Sequence, residues 1–494
     1  MIVRAFLAGL LSLALVLAAE PALTIYNQNF AVVRETIPLD LKQGATSVRF
    51  TDTTAYLEPQ SVILRDPTGQ RAIRILEQNY RADPVSPETL LRLYEGKTVE
   101  FLVRYQDKTE IVTGKIIRAG TLNGQPRYNV GPYPSRAPDQ PIIEVGGKLR
   151  FDLPGTPLFP ALADGTILKP ALNWLIESNR PGRLNAELCY VTGEMSWSAD
   201  YNVVAPETGS DLDVIGWVSM VNQSGRVFDN ARIKLMAGDV NKVEPPQSGR
   251  FGMSAGLGGG VMGGIVGAPP VTEKTFDEYH LYTLQRPTTL HDKETKQVEF
   301  IRAAGVKAQV IYLYDGAKID ANRYRGWQPE AVRQDSMYGT QSNPKIWVMR
   351  EFVNSEANHL GMPLPRGRVR FYRRDTGGRL EFTGEDTVEH TPRDETVRLF
   401  TGAAFDVTGE RRRTNFRIDQ QRSVLDEAFE IKVRNHKKEP VEVRVVEHLY
   451  RGTSWDISTS SMPFTKTDSQ TIEFRAPLQS GEEKILTYAA HYTW

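Results

Sequence analysis

Leu486, Tyr488, Ala490, Tyr492 and Trp494 fall on every second position at the end of the chain. Successive Cβ atoms of an extended strand point to opposite sides of a sheet, so a spacing of two puts all five on one face. The same alternation recurs in Thr46-Ser47-Val48-Arg49-Phe50 and in Trp197, Ala199, Tyr201 and Val203. Ala231, Ile233 and Leu235 point one way and Arg232 and Lys234 the other. Val441, Val443 and Val445 repeat this with Glu442 and Arg444 outside. The pattern predicts a mainly β chain of two or three β-sandwich-like domains with few short helices. It also predicts that the last strand belongs to a core, with Trp494 inside.

Turn chemistry separates the runs. Asp66-Pro67-Thr68-Gly69 reads as a β-turn, with Pro pre-setting φ and Gly tolerating a positive φ. Gly146-Gly147 between Ile142–Val145 and Lys148–Asp152 signals a tight hairpin. Ser86-Pro87-Glu88 opens the best helix, with Ser as N-cap and Pro at the first helical position. Leu90, Leu91 and Leu93 give it an apolar side and Gly96 ends it. Ala171 to Ser178 suits a short helix or a strand. Composition shifts at Gly120 to Asp139, a long hairpin loop, and again at Pro245 to Pro270, at Tyr324 to Pro344 and at the linker-like Met362 to Gly367. The expected domains are a signal peptide at 1–19, an N-terminal β domain at 20–185, a central β domain at 186–365 with a Gly-rich loop at 245–270, and a C-terminal β-sandwich at 366–494. The last two could form one unit.

Sixty basic and sixty acidic residues cancel in this 494-residue chain. No electrostatic footprint for nucleic acid or an anionic membrane results. The run Arg411-Arg412-Arg413 follows the turn-like Thr408-Gly409-Glu410 and reads as a solvated hairpin tip. At the N-terminus, Arg4 precedes an apolar core from Phe6 to Leu17, and small residues stand before Glu20-Pro21. That is the layout of a secretory signal peptide, so the chain is expected to be exported, to the periplasm, cell surface or medium. No later segment is apolar enough to suggest a membrane helix. Cys189 is the only cysteine, so no internal disulfide can form, and its strand-like setting reads as a buried, inert thiol.

FGMSAGLGGGVMGGIVGAPP, residues 251–270, matches two catalytic patterns. Gly252, Ser254 and Gly256 spell a nucleophile elbow. Gly258, Gly260 and Gly263 spell a dinucleotide cradle, with Glu278 as the distant acid. Both patterns need a strand before and a helix after. Pro245-Pro246 before and repeated glycines after deny both, because each helical Gly costs about 1 kcal/mol relative to Ala. The stretch reads as a loop. Its apolar Phe251, Met253, Leu257, Val261, Met262, Ile265 and Val266 suit contact with an envelope protein partner. Seven histidines are scattered without metal-ligand spacing, and the acids between Gly384 and Glu395 read as a solvated turn. No catalytic residue, metal or cofactor is expected. Trp174, Trp197, Trp217, Trp327, Trp347 and Trp455 read as core aromatics, although exposed ones could stack on sugars.

Tyr190, Trp197-x-Ala199-x-Tyr201, Val221-Asn222-Gln223-Ser224-Gly225, Phe228, Ala231 and Leu235 form a spaced pattern. It resembles the C-terminal domain of mucoidy-inhibitor-A-like bacterial proteins, a domain of unknown function numbered four-one-three-nine. Further similar stretches are Tyr279-His280-Leu281-Tyr282, Lys296-Gln297-Val298, Leu360 to Gly367, the ending Leu486 to Trp494, and, nearer the start, Thr24 to Val33 and Leu57 to Val62. The resemblance implies no agreed activity, so it carries over no catalytic residue. The long coiled coil that many such proteins have is absent from this sequence. The motif also has a plain physical reading as a turn, in which Asn222 and Gly225 tolerate left-handed backbone and Ser224 bonds the main chain. A non-catalytic protein-binding or structural role is the leading expectation; a secreted hydrolase or carbohydrate-binding protein is the alternative. Deleting 251–270 should leave the melting temperature unchanged; a large fall in a thermal scan would refute the loop reading.

Overall fold

The computed structural model describes residues 20–81, 87–105, 108–120, 140–160, 169–238, 240–242, 271–276 and 279–494. The expected signal peptide and the Gly-rich stretch with its seven apolar residues lie outside them. The described chain is mainly β, as the alternation predicts. Its helices are Pro87–Leu93 and Pro329–Gln334, with 3-10 turns at Pro59–Ser61 and Glu356–Asn358. None is long and apolar enough to cross a membrane. Two compact units emerge. One holds the chain up to Ser196 with Val221–Lys234 and Arg286–Thr295; the other holds Trp197–Met220, Leu235–Gln285 and Lys296–Trp494.

In the first unit, Phe30–Leu41 and Gly182–Gly193 pair antiparallel along their whole lengths, from Leu41 opposite Gly182 to Phe30 opposite Gly193. Ala22–Tyr26 pairs with the free side of the former and Ile63–Arg65 with the latter. Ala171–Ser178 is a strand, flanked by Gly44–Phe50 and Ile73–Arg81. The turn at Asp66 closes as expected, with the Gly69 N–H donating to the Asp66 carbonyl at 3.1 Å. The Gly146-Gly147 hairpin also forms, both residues having positive φ. Helix Pro87–Leu93 buries only Leu91, against Val99, Phe101, Ile116 and Ile143. Leu93 is exposed, so the helix is anchored by one side chain rather than by the three-leucine stripe. Cys189 is half-buried, not fully buried; burial nonetheless raises the thiol pKa, in line with an unreactive group.

The second unit contains a five-stranded sheet and a nine-stranded sheet. In the smaller sheet, Met195–Ala205 pairs parallel with Gly367–Arg374, which pairs antiparallel with Leu380–Val388. Tyr201, Val203 and Val369 face Phe352, Val397 and Leu399 of the larger sheet, leaving a void of only about 10 Å³. The larger sheet then supplies a second core from its own strands, where Tyr314, Phe429, Val443, Phe474 and Tyr488 meet. The 24-residue strand Thr396–Asp419 serves both cores. Its first part pairs with Lys345–Val353 and its second with Val424–Asn435.

Two expectations fail here. Trp494 lies past the last strand and is 43% exposed, while Leu486, Tyr488, Ala490 and Tyr492 are buried. Arg411-Arg412-Arg413 is no hairpin tip: it sits inside Thr396–Asp419, with Arg411 opposite Ile431 and Arg413 opposite Phe429. The misleading residue is Gly409. It is there for packing rather than for a turn, because an added Cβ would stand 2.2 Å from the Tyr314 ring. Gly409→Ala should therefore destabilise the unit by about 1–3 kcal/mol through overpacking. Unchanged urea unfolding would contradict that.

Candidate functional site

The Arg411–Arg413 strand delivers two guanidinium groups to the same buried layer. Arg411 meets Glu447 of strand Val441–His448, its Nε and Nη2 lying 2.9 Å from the carboxylate, and its guanidinium covers the Phe429 ring at 3.9 Å. The Tyr488 hydroxyl donates to the same carboxylate at 2.5 Å. Beside this pair, Glu427 accepts from Arg451 Nε at 3.4 Å and from the Tyr492 hydroxyl at 3.2 Å. Burial opposes the charge of Arg411, but Glu447 outweighs it and raises the pKa above its ordinary value. Burial, helped by the neighbouring glutamates, holds Tyr488 and Tyr492 well above the usual phenol range.

These arginines also hold the polar segment at 324–344. Arg451 donates to the carbonyls of Val332, Asp335 and Tyr338 at 2.6–2.9 Å. Arg411 reaches Gly339 at 2.6 Å, and Arg413 donates to Ser336. These bonds run to acceptors inside the chain, so the cluster acts as a clamp. The sequence hid this role because Glu427, Glu447 and Arg451 lie far from Arg411 and look like ordinary strand charges.

His448 comes nearest to a catalytic arrangement. Its Nε2 lies 3.1 Å from Asp315 Oδ2 and its Nδ1 3.3 Å from Thr471 Oγ1. Its ring stacks on Tyr450 at 4.8 Å. His448 and Thr471 are cross-strand partners, and none of the three lines the small void beside Tyr201 and Phe352. The bond to Asp315 raises the His448 pKa against the effect of burial. Among the described residues no cluster of His, Cys, Asp and Glu could hold a metal.

The residues of the family-like motif form a second clamp, in the first unit. Arg226 donates to Glu35 at 2.7–2.8 Å, to Asp52 at 2.8 Å and to the Tyr190 hydroxyl at 3.1 Å. Asn222 Nδ2 donates to the carbonyls of Arg226, Leu290 and His291, and Ser224 Oγ donates to Asn222 Oδ1 at 2.7 Å. Only Gly225 uses left-handed backbone (φ +80°), and the Ser224 hydroxyl bonds the Asn222 side chain rather than the main chain. The tryptophans divide. Trp174 and Trp197 are core residues, whereas Trp327 and Trp347 are exposed. Trp347 meets Phe400 edge-on at 68°, which makes no flat platform for sugars.

A cleft opens in the second unit between the five-stranded and nine-stranded sheets. Ala205, Leu212, Phe371, Tyr372, Arg373 and Thr383 line it from the smaller sheet. Val348, Arg350 and Thr401 to Ala403 line it from the larger one. Its volume is about 190 Å³. No carboxylate, histidine, serine or cysteine lines it. Arg350 is 9% exposed, and its Nη1 is buried without a hydrogen-bond partner. Burial and then the neighbouring Arg373 hold the Arg350 pKa below its ordinary value. Nothing in the sequence marked Arg350, which reads as one more charge on a strand. No family model matches the chain, and no curated protein matches it.

A histidine whose folded pKa is raised stabilises fully below its unfolded pKa, and that stability fades as pH rises through the folded value. The stability advantage of wild type over His448→Gln should therefore be largest near pH 5.5 and shrink toward pH 9. Melting temperatures taken across that range decide it; a difference constant with pH would contradict the pairing.

Proposed function

We propose that the protein is an exported, non-catalytic binding protein of the cell envelope. Its signal-peptide-like start supports export. The observation that carries the binding reading is the cleft lining: apolar side chains, two threonines, Tyr372 and two arginines, with no carboxylate, histidine, serine or cysteine among them to serve as base or nucleophile. Such a site can hold a ligand without transforming it. The strongest buried charges elsewhere in that unit, Arg411–Glu447 and Arg451–Glu427, are spent on internal partners. The hydrolase alternative rests on Asp315, His448 and Thr471, which lie away from the cleft lining.

Equilibrium dialysis of residues 20–494 against envelope extract, read by mass spectrometry, tests the reading. Ala403 lines the cleft and is exposed, so Ala403→Trp should block it without touching Arg350. The expected result is a ligand retained by the wild type, lost by Ala403→Trp and recovered chemically unchanged. Equal retention by both proteins would contradict the cleft as the site. Turnover of an ester or peptide substrate that Thr471→Ala abolishes would establish the hydrolase instead. Cell fractionation should find the chain outside the cytoplasm; cytosolic recovery with residues 1–19 intact would refute export.

A further inference from the structure

We infer that the cleft takes an organic carboxylate, an apolar body bearing one carboxylate group, with Arg350 as its anchor. The inference deepens the binding reading and rests on it.

The argument begins with the other buried arginines. Arg226 has Glu35, Arg411 has Glu447 and Arg451 has Glu427. Arg350 is equally withdrawn from water, yet among the described residues it has no carboxylate at ion-pair distance. A guanidinium cannot escape by losing its proton at any ordinary pH. Uncompensated burial of such a charge is strongly unfavourable, and Arg373 adds repulsion. Of the groups acting on it, only the Tyr312 phenol favours its charge. The missing counter-charge is what a bound anion would supply.

The walls define the rest of the ligand. Arg350 shares the cleft with Leu212, Val348 and Phe371, and Thr383 supplies a hydroxyl, while the Thr401 hydroxyl already donates to the Val348 carbonyl at 3.0 Å. About 190 Å³ far exceeds the roughly 10–15 Å³ that one water needs, so the space admits an apolar body as well as the charged group. A carboxylate matches a guanidinium through two parallel hydrogen bonds and carries a single charge. Phosphate suits the site less well. It carries more charge and needs donors on every side, whereas the second cation, Arg373, already donates to the Glu207 carbonyl at 2.8 Å. The carboxylate could belong to a free acid or to the C-terminus of a peptide ending in an apolar residue; the chemistry that anchors either is the same.

Isothermal titration calorimetry on residues 20–494 would use hexanoate, hexanamide, inorganic phosphate, and an acetylated tripeptide ending in leucine as the free acid and as the amide. At least one carboxylate should bind, at least tenfold tighter than its own amide and than phosphate. Hexanoate binding alone assigns a free acid; tighter binding of the peptide acid assigns a chain terminus. Arg350→Met should erase the preference of acid over amide while melting at or above the wild-type temperature. Arg350→Lys keeps the charge without the planar fork and should weaken the preference without abolishing it, which covers the case of a methionine variant that fails to fold. Ala403→Trp should lose every ligand. Acid and amide binding equally, with both lost in Ala403→Trp, would overturn the carboxylate assignment and leave the binding reading standing. Preference for phosphate, a preference surviving in Arg350→Met, or no heat from any carboxylate would each overturn it as well.

Discussion

The Arg411–Glu447 pair is the contact on which the second unit's larger sheet depends. Both side chains are almost wholly out of water, at 3% and 0% exposure. Burying two opposite charges is tolerable only when geometry and extra hydrogen bonds compensate desolvation. Here Tyr488 donates to the carboxylate, Phe429 faces the guanidinium, and the Gly339 carbonyl takes a further N–H. The pair thereby ties together strands 396–419, 424–435, 441–448 and 483–493 and the polar segment at 324–344. Arg451 and Glu427 repeat the device beside it. The segment carries little apolar side-chain burial of its own, with no buried residue in its short helix, so carbonyl–guanidinium bonds account for its order.

This pattern gives the cleft its meaning. Where buried charge is structural in this protein, it arrives with its opposite. Tyr190, Arg226, Glu35 and Asp52 obey the rule in the first unit, and the Arg411 and Arg451 clusters obey it in the second. Arg350 breaks it, at a place where two sheets separate enough to leave space. An unsatisfied buried group beside a cavity is a departure from local consistency of the kind that binding sites show.

The strands and several turns were legible in the sequence because period-two alternation is local. Trp197 to Val203, Ala231 to Leu235 and Val441 to Val445 all bury the predicted face. What failed involved distant partners. Gly409 looked like a turn because the Tyr314 ring that demands a glycine is almost a hundred residues away. Arg411 looked solvated because Glu447 lies on another strand. Trp494 continued the alternation by one residue beyond the point where the strand ends. Arg350 was invisible for a deeper reason: its significance lies in a partner it lacks, and a sequence does not display absences of contact. The Gly-rich stretch 251–270, prominent in the sequence, lies outside the described residues.

A double-mutant cycle on Arg411 and Glu447 tests the central claim most directly. Urea unfolding would be measured for Arg411→Met, Glu447→Leu and the two combined. Each single change strands a buried charge and should cost about 3–5 kcal/mol, while the double variant should cost less than either, since no charge is left unpaired. Losses that simply add would mean that the two groups do not depend on one another, and would contradict the view that buried charge in this protein is held by its pairing.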